Sequence, residues 1–143
     1  MGTYHDWHLM THTSGLPREP PGFDASKIQS DADILKSAYS VPLASAPGDQ
    51  WEYSNTGYFA LGEIVHEASG QPWMQFVRTR VFATLGMNDT TAADFGAVVP
   101  NTAVGYRYTA GQLRHAPPQF ALRASGAFMS TLEDMLKMGR RTE

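Results

Sequence analysis

Residues 47–58 read PGDQWEYSNTGY and mark the passage from an irregular segment to a long apolar helix. The Pro-Gly pair favours a turn. Ser54 or Asn55 can cap the following helix, because each offers a side-chain oxygen to backbone N–H groups that lack partners at a helix start. Residues 56–69 then carry apolar side chains three and four positions apart, which predicts a helix with one apolar face. Gly70 is suited to end this helix.

A second helix is predicted directly after the first. Pro72 suits the first turn of a helix, and apolar residues recur along one face as far as Leu85, where Gly86 ends the pattern. Because the link between the two helices is short, we expect them to pack antiparallel.

Shorter helices are predicted on either side of this pair. Residues 6–12 favour a short helix that runs into a loop containing Gly and Pro. Ser30 followed by Asp33 resembles a helix cap with an acid three residues later, and Ser130 followed by Glu133 reads as a capping box. Helices are therefore expected after both serines.

One β-hairpin is predicted in the second half of the chain. Residues 105–109 and 112–115 have strand-like composition, and Ala110-Gly111 between them suits a turn. Residues 87–103 give little regular signal. The expected fold class is therefore α+β and helix-dominated, with one small two-stranded element around 104–115. The length of 143 residues suits a single domain.

The composition excludes several functional classes. A hydrophobic content of 42% with 17% charged residues is typical of a folded globular chain. The formal net charge of −3, without a basic block, argues against nucleic acid as a partner. The absence of cysteine excludes disulfides, thiolate nucleophiles and cysteine-based zinc sites. No apolar run reaches membrane-spanning length, and the N-terminus lacks the features of a signal peptide. No cofactor is expected.

Short motifs are spaced along almost the whole chain. They are HTSGLP at 12–17, PG at 47–48, YSNTGY at 53–58, LGEIV at 61–65, SGQP at 69–72, LGM at 85–87 followed by Asp89-Thr90, and SG at 125–126 ahead of Ser130-Thr131. In this order they resemble the central region of the serine β-lactamase-like hydrolases. That family includes class C β-lactamases, D-Ala-D-Ala carboxypeptidases and related esterases.

The resemblance implies the helical subdomain of the β-lactamase/transpeptidase-like fold, without most of its antiparallel sheet. Enzymes of this kind need three motifs: Ser-x-x-Lys, Tyr-x-Asn and Lys-Thr-Gly. Tyr53 and Asn55 match the second motif. No serine of this chain has a lysine three residues later, and neither Lys-Thr-Gly nor His-x-Gly occurs. We therefore expect residues 1–143 to be a single partial domain, the middle of a longer enzyme, and inactive alone.

The same resemblance assigns roles to the matching residues. Tyr53 would act as general base for acylation and as proton relay to the leaving group. Asn55 would hold the activating lysine and the substrate amide carbonyl, since its amide both donates and accepts hydrogen bonds. Ser54 is expected to cap the helix and not to attack the substrate.

Activation of Tyr53 depends on a nearby cation. A free phenol is a poor base at neutral pH, because its pKa is about 10. A lysine ammonium ~4 Å away, at an effective dielectric constant of ~20, would stabilise the phenolate by roughly 4 kcal/mol. Lys27, Lys36 and Lys137 occupy no motif position. Tyr53 is therefore expected to stay protonated in this chain.

Other chemistry finds weaker support. His5, His8 and His12 would share one face of a helix, which suggests a metal site, but no acidic fourth ligand is placed beside them and no metal is expected. His66 and His115 are interpreted as ordinary, partly exposed residues. The three tryptophans and the methionines are expected in the core. No Gly-x-Ser-x-Gly occurs, so an α/β-hydrolase elbow is unsupported.

Two functional hypotheses remain. The first is a serine hydrolase that acts through an acyl-enzyme on a small-molecule substrate: a β-lactam, a D-Ala-D-Ala peptide or a small ester. The second is a non-catalytic binding module, a pseudo-enzyme that self-associates through exposed apolar helix faces. The resemblance suggests a bacterial protein of the periplasm, cytoplasm or exterior and does not choose among them.

Overall fold

A computed structural model describes residues 5–25, 27, 29–92, 98–116, 120–126 and 128–139. The fold is α+β and helix-dominated, as the sequence predicts. The helices are α1 Asp6–Met10, α2 Asp31–Ala38, α3 Asn55–Ser69, α4 Trp73–Val77, α5 Ala83–Leu85 and α6 Leu132–Gly139. A π-helix, Arg78–Phe82, joins α4 to α5, and 3-10 turns span Phe120–Ser125. The strands are β1 Thr91–Ala92, β2 Tyr106–Thr109, β3 Gln112–His115 and β4 Phe128–Met129.

Helix α3 has the predicted caps at both ends. The backbone N–H of Gly57 donates a hydrogen bond of 3.0 Å to Ser54 Oγ, so Ser54 is the N-cap and Asn55 is the first helical residue. Gly70 ends the helix in the left-handed conformation, with φ of 67°. The expected cap at Ser30 is also confirmed, because its Oγ accepts the backbone N–H of Asp33.

The second helix of the pair differs in detail from the prediction. Pro72 is the N-cap of α4 and not a residue of its first turn. The helical path to Leu85 includes the π-helix, and Gly86 then adopts a left-handed conformation with φ of 69°. Helices α3 and α4 approach closely, because a Cβ added to Gly62 would lie 3.4 Å from Cδ1 of Trp73. Their antiparallel arrangement stays a prediction.

The main core lies between α1, α2 and α3. Its buried side chains are all apolar, and Phe23 and Leu61 pack against them. The members are Leu9, Leu16, Ile34, Leu35, Phe59 and Ala60. Because α1 and α3 both contribute, the core fixes the start of α3 relative to the residues that follow α1.

The predicted hairpin is confirmed, and the structure adds a second pairing. Strands β2 and β3 are antiparallel, with Ala110 and Gly111 both at positive φ between them, as a type I′ hairpin turn requires. The prediction of one two-stranded element is wrong, because β1 pairs antiparallel with β4. That ladder joins Thr91 to Met129, which are too far apart in the sequence for a local pattern to indicate their pairing.

Helix α6 begins one residue later than its capping box suggests. The backbone N–H of Asp134 donates to Thr131 Oγ1 at 3.2 Å, so Thr131 caps the helix. Ser130 pairs instead with the Thr90 hydroxyl at 2.8 Å. Within the described ranges, no helix is long and apolar enough to cross a membrane.

Candidate active site

Tyr53, Ser54 and Asn55 lie where extended backbone turns into helix α3. Ser54 has an extended conformation, with φ of −134° and ψ of 112°, and Asn55 is already helical. The Tyr53 side chain is 38% exposed, whereas Ser54 and Asn55 are buried, at 1% and 7%. A half-exposed phenol thus stands beside a buried amide at the mouth of the helix.

Residues 12–18, named here the clamp loop, hold this triplet through backbone and side-chain hydrogen bonds. The Ser54 N–H donates to Nδ1 of His12 at 3.2 Å, and Ser54 Oγ donates to the carbonyl of Pro17 at 2.9 Å. The Asn55 N–H donates to the carbonyl of Arg18 at 2.9 Å. The clamp loop therefore satisfies backbone donors that the start of a helix would leave without partners.

The same loop also fastens the segment that leads into the triplet. The Gly48 N–H donates to the carbonyl of Thr13 at 2.8 Å, and the Ala44 N–H donates to the carbonyl of Gly15 at 2.9 Å. Gly15 has φ of 73°, and a Cβ added there would lie 2.2 Å from the carbonyl oxygen of Ser45. Only glycine fits this approach, so the Gly of the HTSGLP motif has a packing reason.

The Tyr53 ring is enclosed on two sides by residues of the clamp loop. The centroid of the His12 ring lies 4.6 Å from that of Tyr53, and Cζ of Arg18 lies 5.3 Å from the Tyr53 centroid. A guanidinium at this distance is attracted to the face of the aromatic ring by a cation–π interaction. No lysine in the described part of the chain hydrogen-bonds to Tyr53, since Lys137 pairs with Asp134 and Lys27 pairs with Asp24.

Asn55 of the triplet and the next residue, Thr56, have unused hydrogen-bonding capacity. The Asn55 amide makes no side-chain hydrogen bond to any residue that the structure describes. Oγ1 of Thr56 is fully buried and, within the same described residues, has no partner. A side-chain amide without a partner among the described residues can both donate to and accept from a bound group.

The structure places His12 apart from His5 and His8, whose rings stay stacked with centroids 5.6 Å apart. Helix α1 ends at Met10, so His12 lies outside it with φ of 58°. Nδ1 of His8 accepts the backbone N–H of His5, and Nδ1 of His12 accepts that of Ser54. Among the described residues, no group of three His, Asp or Glu side chains is arranged to hold a metal ion.

The expectation that the tryptophans belong to the core is wrong for two of them. Trp51 is 68% exposed and Trp7 is 49% exposed. Trp73 is half-buried and packs edge-on against Phe128, with 5.7 Å between ring centroids. Among the methionines, Met87 is buried, whereas Met10, Met135 and Met138 are exposed. The sequence reasoning also missed His12 and Arg18 as neighbours of Tyr53, although both lie in or beside the HTSGLP motif.

A second polar cluster anchors α6 away from this site. The buried carboxylate of Asp134 accepts hydrogen bonds from the Asp89 N–H at 2.8 Å and from the Thr90 hydroxyl at 2.9 Å. Lys137 donates to Asp134 at 2.6 Å and to the carbonyl of Gly86 at 2.7 Å. The Lys137 hydrogen bond, with those from Thr90 and Asp89, lowers the pKa of Asp134 against the opposing effect of burial.

Comparison with known proteins gives the family. The sequence model of the family described as Beta-lactamase matches residues 7–143, which is nearly the whole chain. The chain belongs to the beta-lactamase family. The motifs that suggested a serine β-lactamase-like hydrolase therefore reflect family membership.

Relatives in this family have related names and a much greater length. D-alanyl-D-alanine-carboxypeptidase/endopeptidase AmpH of Escherichia coli is 32% identical over 136 residues, covering 91% of this chain and 34% of AmpH. A Beta-lactamase of the same species is 33% identical over 131 residues, covering 91% of this chain and 33% of the relative. The chain thus spans about a third of the length of these curated relatives.

Solved structures show the same fold. A D-amino acid amidase from Ochrobactrum anthropi, in complex with D-phenylalanine, superposes with a TM-score of 0.79 at 27% identity. The match covers 94% of this chain and 42% of the amidase. This beta-lactamase family chain therefore has part of the fold of a serine β-lactamase-like hydrolase, as its motifs implied.

Proposed function

We propose that this chain supplies the Tyr-x-Asn part of a serine hydrolase whose nucleophile and activating lysine lie outside residues 1–143. The enzyme would form an acyl-serine intermediate with a β-lactam, a D-Ala-D-Ala peptide or a small ester and then hydrolyse it. The observation that carries the proposal is the placement of Tyr53 and Asn55 at the start of α3, held by the clamp loop, with no described residue bonded to the Asn55 side-chain amide.

In this proposal Tyr53 moves the proton. Its phenolate would accept the proton of the attacking serine and deliver it to the leaving group, a role typically worth about 10²–10⁴-fold in rate. This role requires a cation near the phenol oxygen to stabilise the phenolate, because an ordinary phenol is protonated at neutral pH. The Arg18 guanidinium lies over the ring of Tyr53, and a lysine from outside the chain would have to approach the hydroxyl.

Asn55 would orient substrate and lysine together. Its carbonyl oxygen would accept from the lysine ammonium, and its NH₂ group would donate to the substrate amide carbonyl. Ser54 does not compete for the nucleophile role in this scheme, because it is 1% exposed. Its hydroxyl already accepts from Gly57 and donates to Pro17.

The names of the relatives support hydrolysis next to a D-amino acid. AmpH is called a D-alanyl-D-alanine carboxypeptidase and endopeptidase, and the Ochrobactrum enzyme is called a D-amino acid amidase and holds D-phenylalanine. We extend that substrate chemistry to the enzyme that contains this chain.

Covalent labelling tests the proposal. The purified chain is expected to remain unlabelled by a fluorescent penicillin and by a fluorophosphonate. A chimaera in which residues 7–139 replace the aligned segment of AmpH is expected to be labelled by the penicillin and to hydrolyse a D-Ala-D-Ala peptide. Labelling of the isolated chain at one of its own serines would contradict the proposal, as would a folded chimaera that is inert.

A second candidate function is self-association as a non-catalytic module. The observation in its favour is the outer face of α6, where Leu132, Met135 and Leu136 are each more than half exposed at three- and four-residue spacing. A contiguous exposed apolar patch of this kind is typical of a protein–protein contact site. Sedimentation velocity over a range of concentrations would show a growing oligomer fraction that Leu136→Glu abolishes, and a concentration-independent monomer would reject this function.

A further inference from the structure

We propose that His12 is a positioning residue for Tyr53, and that it acts through a neutral imidazole whose Nδ1 accepts the Ser54 backbone N–H. The inference rests on the proposed function for the role of Tyr53. The hydrogen bonds that hold Tyr53 in place are observations of the structure and are tested separately below.

His12 accepts backbone hydrogen bonds from the residues on both sides of Tyr53. The N–H of Glu52, before Tyr53, donates to the His12 carbonyl at 2.8 Å, and the N–H of Ser54, after it, donates to His12 Nδ1 at 3.2 Å. One residue therefore receives both backbone donors that flank the tyrosine. This two-point attachment limits rotation of the Tyr53 backbone before helix α3 begins.

The His12 ring also limits where the Tyr53 side chain can lie. Its centroid is 4.6 Å from the ring of Tyr53 and 5.3 Å from that of Tyr58, and Trp51 packs edge-on at 6.1 Å. The phenol is therefore packed against the imidazole while its other neighbour, Arg18, lies 5.3 Å from the ring centre. A small displacement of a reacting group costs up to about 10²-fold in rate, so such support matters for catalysis.

The hydrogen bond from Ser54 determines the tautomer of His12. A nitrogen that accepts an N–H bond carries no proton, so the proton of the neutral ring sits on Nε2. A doubly protonated imidazole has no acceptor and would release the Ser54 N–H. The Tyr53 and Tyr58 rings pack against this imidazole, and the Arg18 guanidinium lies over the adjoining Tyr53 ring.

The position of the side-chain acceptor predicts which substitutions of His12 preserve the hydrogen bond from the Ser54 N–H. Asparagine places its side-chain oxygen close to the position of Nδ1, so His12→Asn keeps the acceptor. Glutamine places its oxygen near the position of Nε2, so His12→Gln carries an acceptor that does not reach Ser54. His12→Phe keeps a ring against Tyr53 and removes the acceptor.

NMR on the full chain tests the inference without any activity measurement. Nitrogen-15 spectra of the imidazoles, with His12 assigned by its absence in His12→Asn, are expected to show the Nε2–H tautomer at neutral pH. Amide hydrogen exchange of Ser54 is expected to be about fivefold faster in His12→Gln and His12→Phe, the ratio that corresponds to the loss of one neutral hydrogen bond. In His12→Asn it should stay within about twofold of wild type.

The Gly57 amide, which bonds to Ser54 Oγ, is the internal reference. Equal acceleration at Ser54 and Gly57 would mean that His12 supports the fold generally and would overturn the inference. An Nδ1–H tautomer in wild type would overturn it too, as would His12→Asn behaving like His12→Gln. If His12→Phe does not fold, the Asn and Gln pair decides alone. These readouts hold whether or not the AmpH chimaera is active, so failure of the proposed function would be seen separately.

Discussion

Gly15→Ala should be among the most destabilising substitutions in the chain, because it adds a methyl group where the clamp loop packs directly against the backbone of Ser45. The new methyl carbon would lie 2.2 Å from the carbonyl oxygen of Ser45 and 3.2 Å from its carbonyl carbon. Both atoms belong to backbone, so a side-chain rotation cannot relieve the overlap. The loop or the segment around Ser45 must move instead.

The magnitude follows from a comparison with Gly70→Ala. Gly15 and Gly70 have nearly the same φ, 73° and 67°, so both substitutions carry the same left-handed penalty of about 1–2 kcal/mol. A Cβ on Gly70 meets nothing within 4 Å. At Gly15 the overlap adds about 1–3 kcal/mol, and displacement of the Ala44 N–H from the Gly15 carbonyl adds about 1 kcal/mol. Gly15→Ala should therefore be less stable than Gly70→Ala by about 2–4 kcal/mol.

Urea unfolding followed by circular dichroism measures this difference. The denaturant dependence should be similar in both variants, so that the shift in midpoint reports the change in the free energy of unfolding. Equal destabilisation by the two substitutions would refute the reasoning, because it would show that the Gly15 contact with Ser45 contributes nothing beyond backbone conformation.

Three further predictions test the packing and charge of the chain. Thr56→Val should raise the free energy of unfolding by about 1 kcal/mol, because it removes a buried hydroxyl without a described partner; a loss of similar size in urea unfolding would contradict this. Phe59→Ala should cost about 3–5 kcal/mol, since Phe59 is 3% exposed in the main core, whereas Leu113→Ala, at a 67% exposed position, should change stability by less than about 0.5 kcal/mol. The lowered pKa of Asp134 means that its contribution to stability is present at neutral pH and is lost as the pH falls below about 4 through that pKa. Asp134→Asn should therefore be less stable than wild type at neutral pH, and its melting temperature should fall less than that of wild type when the solution is acidified. Melting curves across pH measure this. Parallel pH dependences of the two proteins would count against the assignment.

Local sequence patterns are enough to predict those structural features that depend only on residues close together in the chain. The cap of α3 at Ser54, its end at Gly70 and the β2–β3 turn at Ala110-Gly111 each involve residues only a few positions apart. Helix caps and hairpin turns are set by such short-range chemistry. These features can therefore be predicted from the amino-acid sequence alone.

Long-range contacts are what the sequence does not reveal. The hydrogen bond from Ser54 to His12 joins residues 42 positions apart, and no pattern within either motif indicates it. The same holds for β1 and β4, whose two-residue ladder has no strand-like run of its own. The size of Trp51 favours a place in the core, yet the clamp loop and α3 leave it exposed beside His12.

The motif residues themselves can be found in the sequence, but their mutual arrangement cannot. HTSGLP and YSN are separate matches along the chain. The structure joins them into one unit, with the clamp loop bonded to Ser54 and Asn55 and its His12 and Arg18 flanking Tyr53. In the folded chain, residues of both motifs therefore hold Tyr53 in position.

The most direct measurement is kcat/KM for a D-Ala-D-Ala peptide in the AmpH chimaera, compared between Tyr53→Phe and Tyr58→Phe. Both changes delete one phenol oxygen, and Tyr58 uses its hydroxyl only to bond the carbonyl of Met10 among the described residues. If Tyr53 carries the proton, Tyr53→Phe lowers kcat/KM by roughly 10²–10⁴-fold and Tyr58→Phe by less than about tenfold. Equal effects of the two substitutions, or full activity in Tyr53→Phe, would contradict the account.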